Sequence, residues 1–243
     1  MAKHRPVFEG PYVLAIHTAT PIGSVAVFAQ DQLMGHIEIR QEKSHAKRLT
    51  PMIQDLLKQT GIQKQALSAI AVIKGPGSYT GLRVGVSTAK GLCMALGLPL
   101  LSVDSLVALA SQVQALAQQL QARICPLIDA RRMEVYTAMY DSQLAPFSPI
   151  QAKILDDAFF QEHLAQQRVI FLGNGTQKSL PIFEAHANAL LLPNALSSAS
   201  SIGGLLWQKY QSNQVEDLLT FEPYYLKDFV ATKPKNRLFP SSK

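Results

Sequence analysis

Cysteine is nearly absent. The 243 residues hold only Cys93 and Cys125. Neither has a histidine or second cysteine at metal-ligand spacing, so the pattern supports no zinc knuckle, redox pair or disulfide framework. Both are expected to be reduced core residues. No apolar run approaches the roughly 20 residues that span a bilayer. Met1 to Pro6 is basic but has no apolar stretch behind it, so no signal peptide is expected. The expectation is a soluble, cytoplasmic protein. His4, His17, His36, His45, His163 and His186 are dispersed, without H-x-x-x-H or H-E-x-x-H, so no metal site is expected. No G-x-S-x-G elbow is present, and neither cysteine has an evident base. Charged residues make up only 16% against 47% hydrophobic, which rules out a disordered chain and supplies a substantial core. The net charge of +6 permits an anionic partner, but the charges are scattered.

What is present is an ordered alternation of strands and helices. Strands are expected at 12–16, 24–29 and 33–40, forming an antiparallel meander, with a helix somewhere between Ser44 and Gly61. Pro51 complicates the start of that helix: either Thr50 caps it, or an earlier turn is kinked there. A strand over 69–74 then runs into a glycine turn and a long helix. A strand at 98–103 and a helix at 104–119 follow. The pattern then returns. Strands at 123–128, 133–140 and 148–154, a helix from Asp156 or Asp157 to about Gln167, a strand at 169–172 and the turn Gly173-Asn174-Gly175 repeat the earlier order, and a last helix covers 201–211. Two related lobes are expected. The boundaries are 1–104, 105–220, and a basic tail at 221–243 containing Pro223, Pro234 and Pro240.

The chain is organised around the stretch from Lys74 to Leu92. Gly75-Pro76-Gly77-Ser78 reads as a turn, Ser78 or Thr80 as a helix cap, and Gly97 as the stop. At about 100° per residue the helix has two apolar stripes. One is Leu82, Val86, Ala89, Cys93 and Leu96. The other is Gly81, Gly85, Thr88, Leu92 and Ala95. Arg83, Ser87, Lys90 and Met94 take much of the rest. Such a helix is either wedged inside its own domain or covers its sheet with one face and offers the small-residue face to a partner.

Other candidates are weaker. Gly75 to Ser78 before a helix resembles a phosphate cradle, but it fits neither the Walker nor the G-x-G-x-x-G spacing. His17 to Thr20 is a hydroxyl-rich turn where a phosphotransferase would want a carboxylate. Asp129, Arg131 and Glu134 read as an ion-paired turn.

Lys74-Gly-Pro-Gly-Ser-Tyr-Thr-Gly-Leu-Arg-Val-Gly85 resembles the signature of the bacterial TsaB (YeaZ) family. So do Leu14 to Thr20 with Ser24 to Val27, His45 to Ile53, Asp129 to Tyr136 and Pro223 to Lys227. The resemblance implies an α/β, two-lobed fold of the actin, Hsp70 and sugar-kinase (ASKHA) class, with duplicated meander-helix-strand-helix units. It implies a required, non-catalytic subunit in the attachment of threonylcarbamoyl to the adenosine beside the anticodon of tRNAs reading A-starting codons. The implied partners are the paralogue TsaD, docked through N-lobe helices, the ATPase TsaE, and tRNA through the complex. No cofactor is expected on this chain; ATP and metal belong to the partners. His17 and Met133 depart from the family's usual Asp and Gly.

The expected docking residues are Leu49, Met52, Ile53, Leu56, Gly81, Gly85, Thr88, Leu92 and Ala95. Gly85→Leu is then expected to spare the fold and abolish assembly. The small-residue stripe suits self-pairing as well as pairing with the paralogue, so a homodimer of the chain alone and a heterodimer both stay open for the same face. The alternatives are a stand-alone ATPase or small-molecule kinase using the inter-lobe cleft, and direct tRNA contact through Lys227, Lys233, Lys235 and Arg237.

Overall fold

Period-two alternation builds the first sheet with two apolar faces. The computed structural model describes residues 8–41, 44–155, 157–183 and 186–227; His4 and the tail residues Lys233, Pro234, Lys235, Arg237 and Pro240 lie outside them. Strands β1 (Tyr12–His17), β2 (Gly23–Ala29) and β3 (Gln32–Ile39) form the meander, with Leu14 opposite Val27 and Val25 opposite Ile37. β4 (Leu67–Gly75) joins β1 in parallel, and β5 (Leu100–Asp104) joins β4 in parallel. Leu14, Ile16, Val25, Val27, Ile70 and Val72 point to one face, while Val13, Ala15, Ala26, Phe28, Ala69 and Ala71 point to the other. A strand whose neighbours alternate sides can be apolar throughout only when both sides are covered.

Helices α1 (His45–Thr60) and α2 (Tyr79–Leu96) cover the first face. α1 ends on Gly61 and α2 on Gly97, both in the left-handed conformation that glycine tolerates. Pro51 sits inside α1, which has already started six residues earlier. The opposite face is covered by α3 (Ser105–Ala110), by residues 199–202 and by α7 (Gly203–Gln211). Residues 199–211 were placed in the second lobe by their position in the sequence. They instead pack on the first sheet, anchored by the Ala199 N–H donating to the buried Ser24 Oγ at 2.8 Å.

The second sheet repeats the first. β6 (Arg123–Asp129), β7 (Glu134–Thr137) and β8 (Gln151–Ile154) form its meander. β9 (Val169–Leu172) and β10 (Ala189–Leu192) follow in parallel. The strand orders are 3-2-1-4-5 and 8-7-6-9-10, the same topology twice. This is the expected two-lobed α/β architecture. α3 and α4 (Gln114–Leu120) cover one face of the second sheet, and α5 (Asp157–Gln166) and α6 (Thr176–Phe183) cover the other. Phe171 stacks on Phe183 at 4.9 Å and meets Phe160 edge-on at 5.5 Å.

Two local expectations fail. The single helix expected at 104–119 is broken by a tighter turn at Ser111–Val113. Ser111 Oγ donates to Ala108 O at 2.9 Å and also reaches Ser201 O at 3.1 Å, which ties the turn to the residues entering α7. α6 and β10 were not foreseen: α6 carries Pro181, and β10 is only four residues long.

Candidate functional site

The β4–α2 junction is built by glycines that let backbone touch backbone. Gly75 has φ +125°, and a Cβ there would meet Tyr224 O at 2.6 Å. A Cβ on Gly77 would collide with Ala19 O, one on Gly81 with Thr18 O, and one on Gly85 with Thr18 Oγ1. These positions bring the β1–β2 turn onto the first two turns of α2. The contact is hydrogen-bonded: Ser78 N–H donates to Ala19 O at 2.7 Å and Thr18 Oγ1 to Gly81 O at 2.7 Å. Ser78 caps α2 by accepting from Gly81 N–H at 3.3 Å. Two of the N–H groups a phosphate could use, those of Ser78 and Gly81, are therefore already taken.

This geometry corrects six of the expected docking residues. Gly81 and Gly85 are buried against Thr18 of the same chain. Leu49 is 2% exposed, and Met52, Ile53 and Leu56 are equally enclosed between α1 and the sheet. A partner reaches none of them without opening the core. The outer side of α1, by contrast, is polar, with Lys47, Arg48, Gln54, Asp55 and Lys58 exposed. Gly85→Leu thus becomes a folding lesion and not a test of assembly.

The remainder of the expected stripe does face outward. Thr88 and Leu92 are half-buried, and Ala95 is exposed. Around them lie half-buried Val84 and exposed Ser87 and Gly91, and Met94 is 72% exposed. Nothing lies within 4 Å of where a Gly91 Cβ would be. The outward face of α2 is thus small-residued and apolar along its C-terminal half. Gly91 was missed because on the wheel it falls just outside the small-residue stripe, on the side away from the larger one, next to Val84 and Ser87.

The first turn is closed and neutral. His17 is fully buried, and burial, aided by the nearby His45, pushes it down to about 3. Its Nδ1 lies 3.3 Å from Ala19 N, and His45 Nε2 lies 2.9 Å from Thr20 O. Beside this turn lies a cavity of about 160 Å³, walled largely by Pro21, Ile22, Leu109, Ile128 and Leu196. No carboxylate lines it. Ligand pockets typically need roughly 300–1,000 Å³, so a nucleotide does not fit there as the lobes stand. Among the described residues no three His, Cys, Asp or Glu side chains group as metal ligands. Burial raises Cys93 to about 11 and Cys125 to about 12, which leaves both thiols protonated and unreactive.

The second meander carries the ion-paired turn in a different form from the one expected. Asp129 pairs with Lys178 from α6, and Glu134 with Lys227. Lys178 also donates to Arg132 O at 2.6 Å and Glu134 O at 2.9 Å. Arg131 and Arg132 hold φ of +70° and +49° and are exposed, as is Met133. The lysine partners are far away in sequence, so only the acidic half of the cluster was readable.

Residues 32–235 match the family model described as TsaD: tRNA N6-adenosine threonylcarbamoyltransferase. A tRNA threonylcarbamoyladenosine biosynthesis protein TsaB from Bacillus subtilis is 35% identical over 167 residues, which cover 68% of this chain and 71% of that protein. The protein of the same name from Haemophilus influenzae is 29% identical over 237 residues, covering 91% and 95%. The solved YeaZ of Pseudomonas aeruginosa superposes with a TM-score of 0.73 at 26% identity, over 89% of this chain and all of that one.

Proposed function

The chain belongs to the TsaB (YeaZ) family of tRNA threonylcarbamoyladenosine biosynthesis proteins, and from that premise we propose that it is a docking subunit and not the transferase. Its partner is a TsaD paralogue held on the outward face of α2, with the ATPase TsaE joining and tRNA bound through the assembly. ATP and metal then belong to the partners. The observation that carries this reading is the outward half of α2. Val84, Ser87, Thr88, Gly91 and Ala95 present small side chains to solvent, with open space at Gly91. A helix face of this kind admits a second helix at close range. In the absence of the paralogue, the same face pairs two copies of this chain.

The rest of the molecule supports an accessory role. His17 is neutral where a metal-holding carboxylate would be needed, and the cavity beside that turn is small and largely apolar. A stand-alone kinase finds little support in these features. The test is reconstituted tRNA modification with and without this chain, and with Ala95→Arg. The variant should fold normally, fail to co-purify with the paralogue and fail to support modification. Full activity with Ala95→Arg would overturn the docking face. Mg-dependent ATP turnover by the chain alone would favour the kinase reading.

A further inference from the structure

The C-terminal segment Glu216 to Lys227 ties three distant elements into one exposed surface. It is held on the first lobe by Glu216 N–H donating to Leu100 O at 2.8 Å, by Lys90 Nζ to Phe221 O at 2.9 Å, and by Tyr224 N–H to Lys74 O at 2.8 Å. The Tyr225 ring then packs on that of Tyr79, in the first turn of α2, at 4.8 Å and tilted by 30°. The Arg83 guanidinium lies over the same Tyr79 ring at 5.6 Å. Two residues on, Lys227 pairs with Glu134 in β7. Two residues of chain reach at most about 7 Å, so the Tyr79–Tyr225–Arg83 group and the β6–β7 turn sit side by side across the lobe boundary.

Among the described residues the charge of the β6–β7 turn is not balanced. The acids of the turn are both engaged, Asp129 by Lys178 and Glu134 by Lys227. Arg131 and Arg132 are exposed, and among the described residues neither guanidinium has an acidic partner. Lys178 clamps the turn's carbonyls from beneath, so the two arginines project from a fixed base. Tyr225 keeps 37% of its surface exposed. Exposed arginines beside packed aromatic rings are the chemistry of a surface that binds phosphates and stacks an unpaired base.

We infer that Arg131, Arg132, Arg83 and Tyr225 form an RNA-contacting surface, which in the docking reading faces the tRNA substrate. The inference rests on that reading for the identity of the RNA. Of the tail at 221–243 it uses Tyr225 and none of the basic residues Lys227, Lys233, Lys235 and Arg237 as RNA contacts. It assigns the contact to the rim between the lobes.

An unmodified tRNA transcript reading A-starting codons is titrated against the full chain, alone and assembled with its paralogue, from 50 to 200 mM salt. Each phosphate contact contributes about 0.7–0.9 to the slope of log affinity against log salt. Arg131→Gln combined with Arg132→Gln should lower that slope by about 1.6, so the variant loses about ninefold less affinity than the wild type over this range. Lysines at both positions should keep the slope. Tyr225→Leu should weaken binding about 5- to 150-fold with the slope unchanged. Size-exclusion chromatography reads assembly separately. An unchanged slope in the Gln variant with assembly intact overturns the inference. So does loss of assembly in that variant, which would make the surface a protein contact. Failure of the wild-type chain to assemble would instead sink the docking reading, and the slope of the chain alone would still decide the RNA contact.

Discussion

Gly91→Leu separates what the monomer needs from what a partner needs. Gly91 lies in the interior of α2, is exposed, and would meet nothing within 4 Å if it carried a Cβ. The isolated chain therefore gains no packing from a glycine at this position. It bears only the entropic cost, about 0.8–1 kcal/mol relative to a good helix former. Leucine should raise the stability of the free chain by roughly 0.5–1 kcal/mol, a shift of about 1–4 °C in Tm for a chain of this size. The effect on association should have the opposite sign. A leucine inserted where two helix backbones approach costs about 1–3 kcal/mol of overpacking, or about 5- to 150-fold in Kd. Thermal melts of the free chain and a titration with the TsaD paralogue measure the two effects on one protein. A more stable monomer with weakened binding is the expected pair. Lower monomer stability would mean that the chain itself encloses Gly91. Unchanged affinity would mean that the partner sits elsewhere.

Three further outcomes follow from the same geometry. Gly85→Ala should destabilise the free chain by about 1–3 kcal/mol, because the new methyl displaces Thr18 Oγ1 from its bond to Gly81 O; urea unfolding measures it, and an unchanged midpoint refutes the Thr18 contact. His17 should make the fold acid-sensitive. Its folded value near 3 lies below the unfolded 6.5, so the unfolded chain takes up the extra proton, and stability is full above about pH 6.5 and falls as pH drops toward 3. At pH 5 this amounts to about 2 kcal/mol less than at pH 7, and His17→Gln should remove that part of the dependence. Neither Cys93 nor Cys125 should react with a disulfide-forming reagent until the chain unfolds; fast labelling of the native chain would contradict their burial.

The sequence revealed the meanders, the caps of α2 and the doubling of the topology because these depend on local signals. Apolar strands bounded by turn residues leave little freedom of interpretation at 12–40 and 123–129, while the strands expected at 133–140 and 148–154 shorten to Glu134–Thr137 and Gln151–Ile154. The elements that escaped lack such signals. β10 has four residues, α6 contains Pro181, and the break after Ala110 is made by a serine reaching Ser201, ninety residues away. The return of residues 199–211 to the first lobe is equally non-local. It rests on Ala199, Ile202 and Leu206 filling the face opposite α1 and α2.

The docking face shows why a helical wheel alone misassigned its sides. A small residue in a helix permits close approach, but the wheel does not say of what. In α2 the two answers divide along the length of one helix. At Gly81 and Gly85 the approaching group is Thr18 of the same chain, so those glycines are needed for the monomer to fold. At Gly91 and Ala95, more than a turn further on, nothing of the described chain approaches. The glycine signature therefore reports how the β1–β2 turn seats on α2. The face proposed for another molecule begins where that internal contact ends, and Gly91 there confers no packing benefit on the free chain. A glycine that costs helix stability without serving the monomer's own packing is the feature that sequence periodicity could not isolate, and the one on which the docking reading stands.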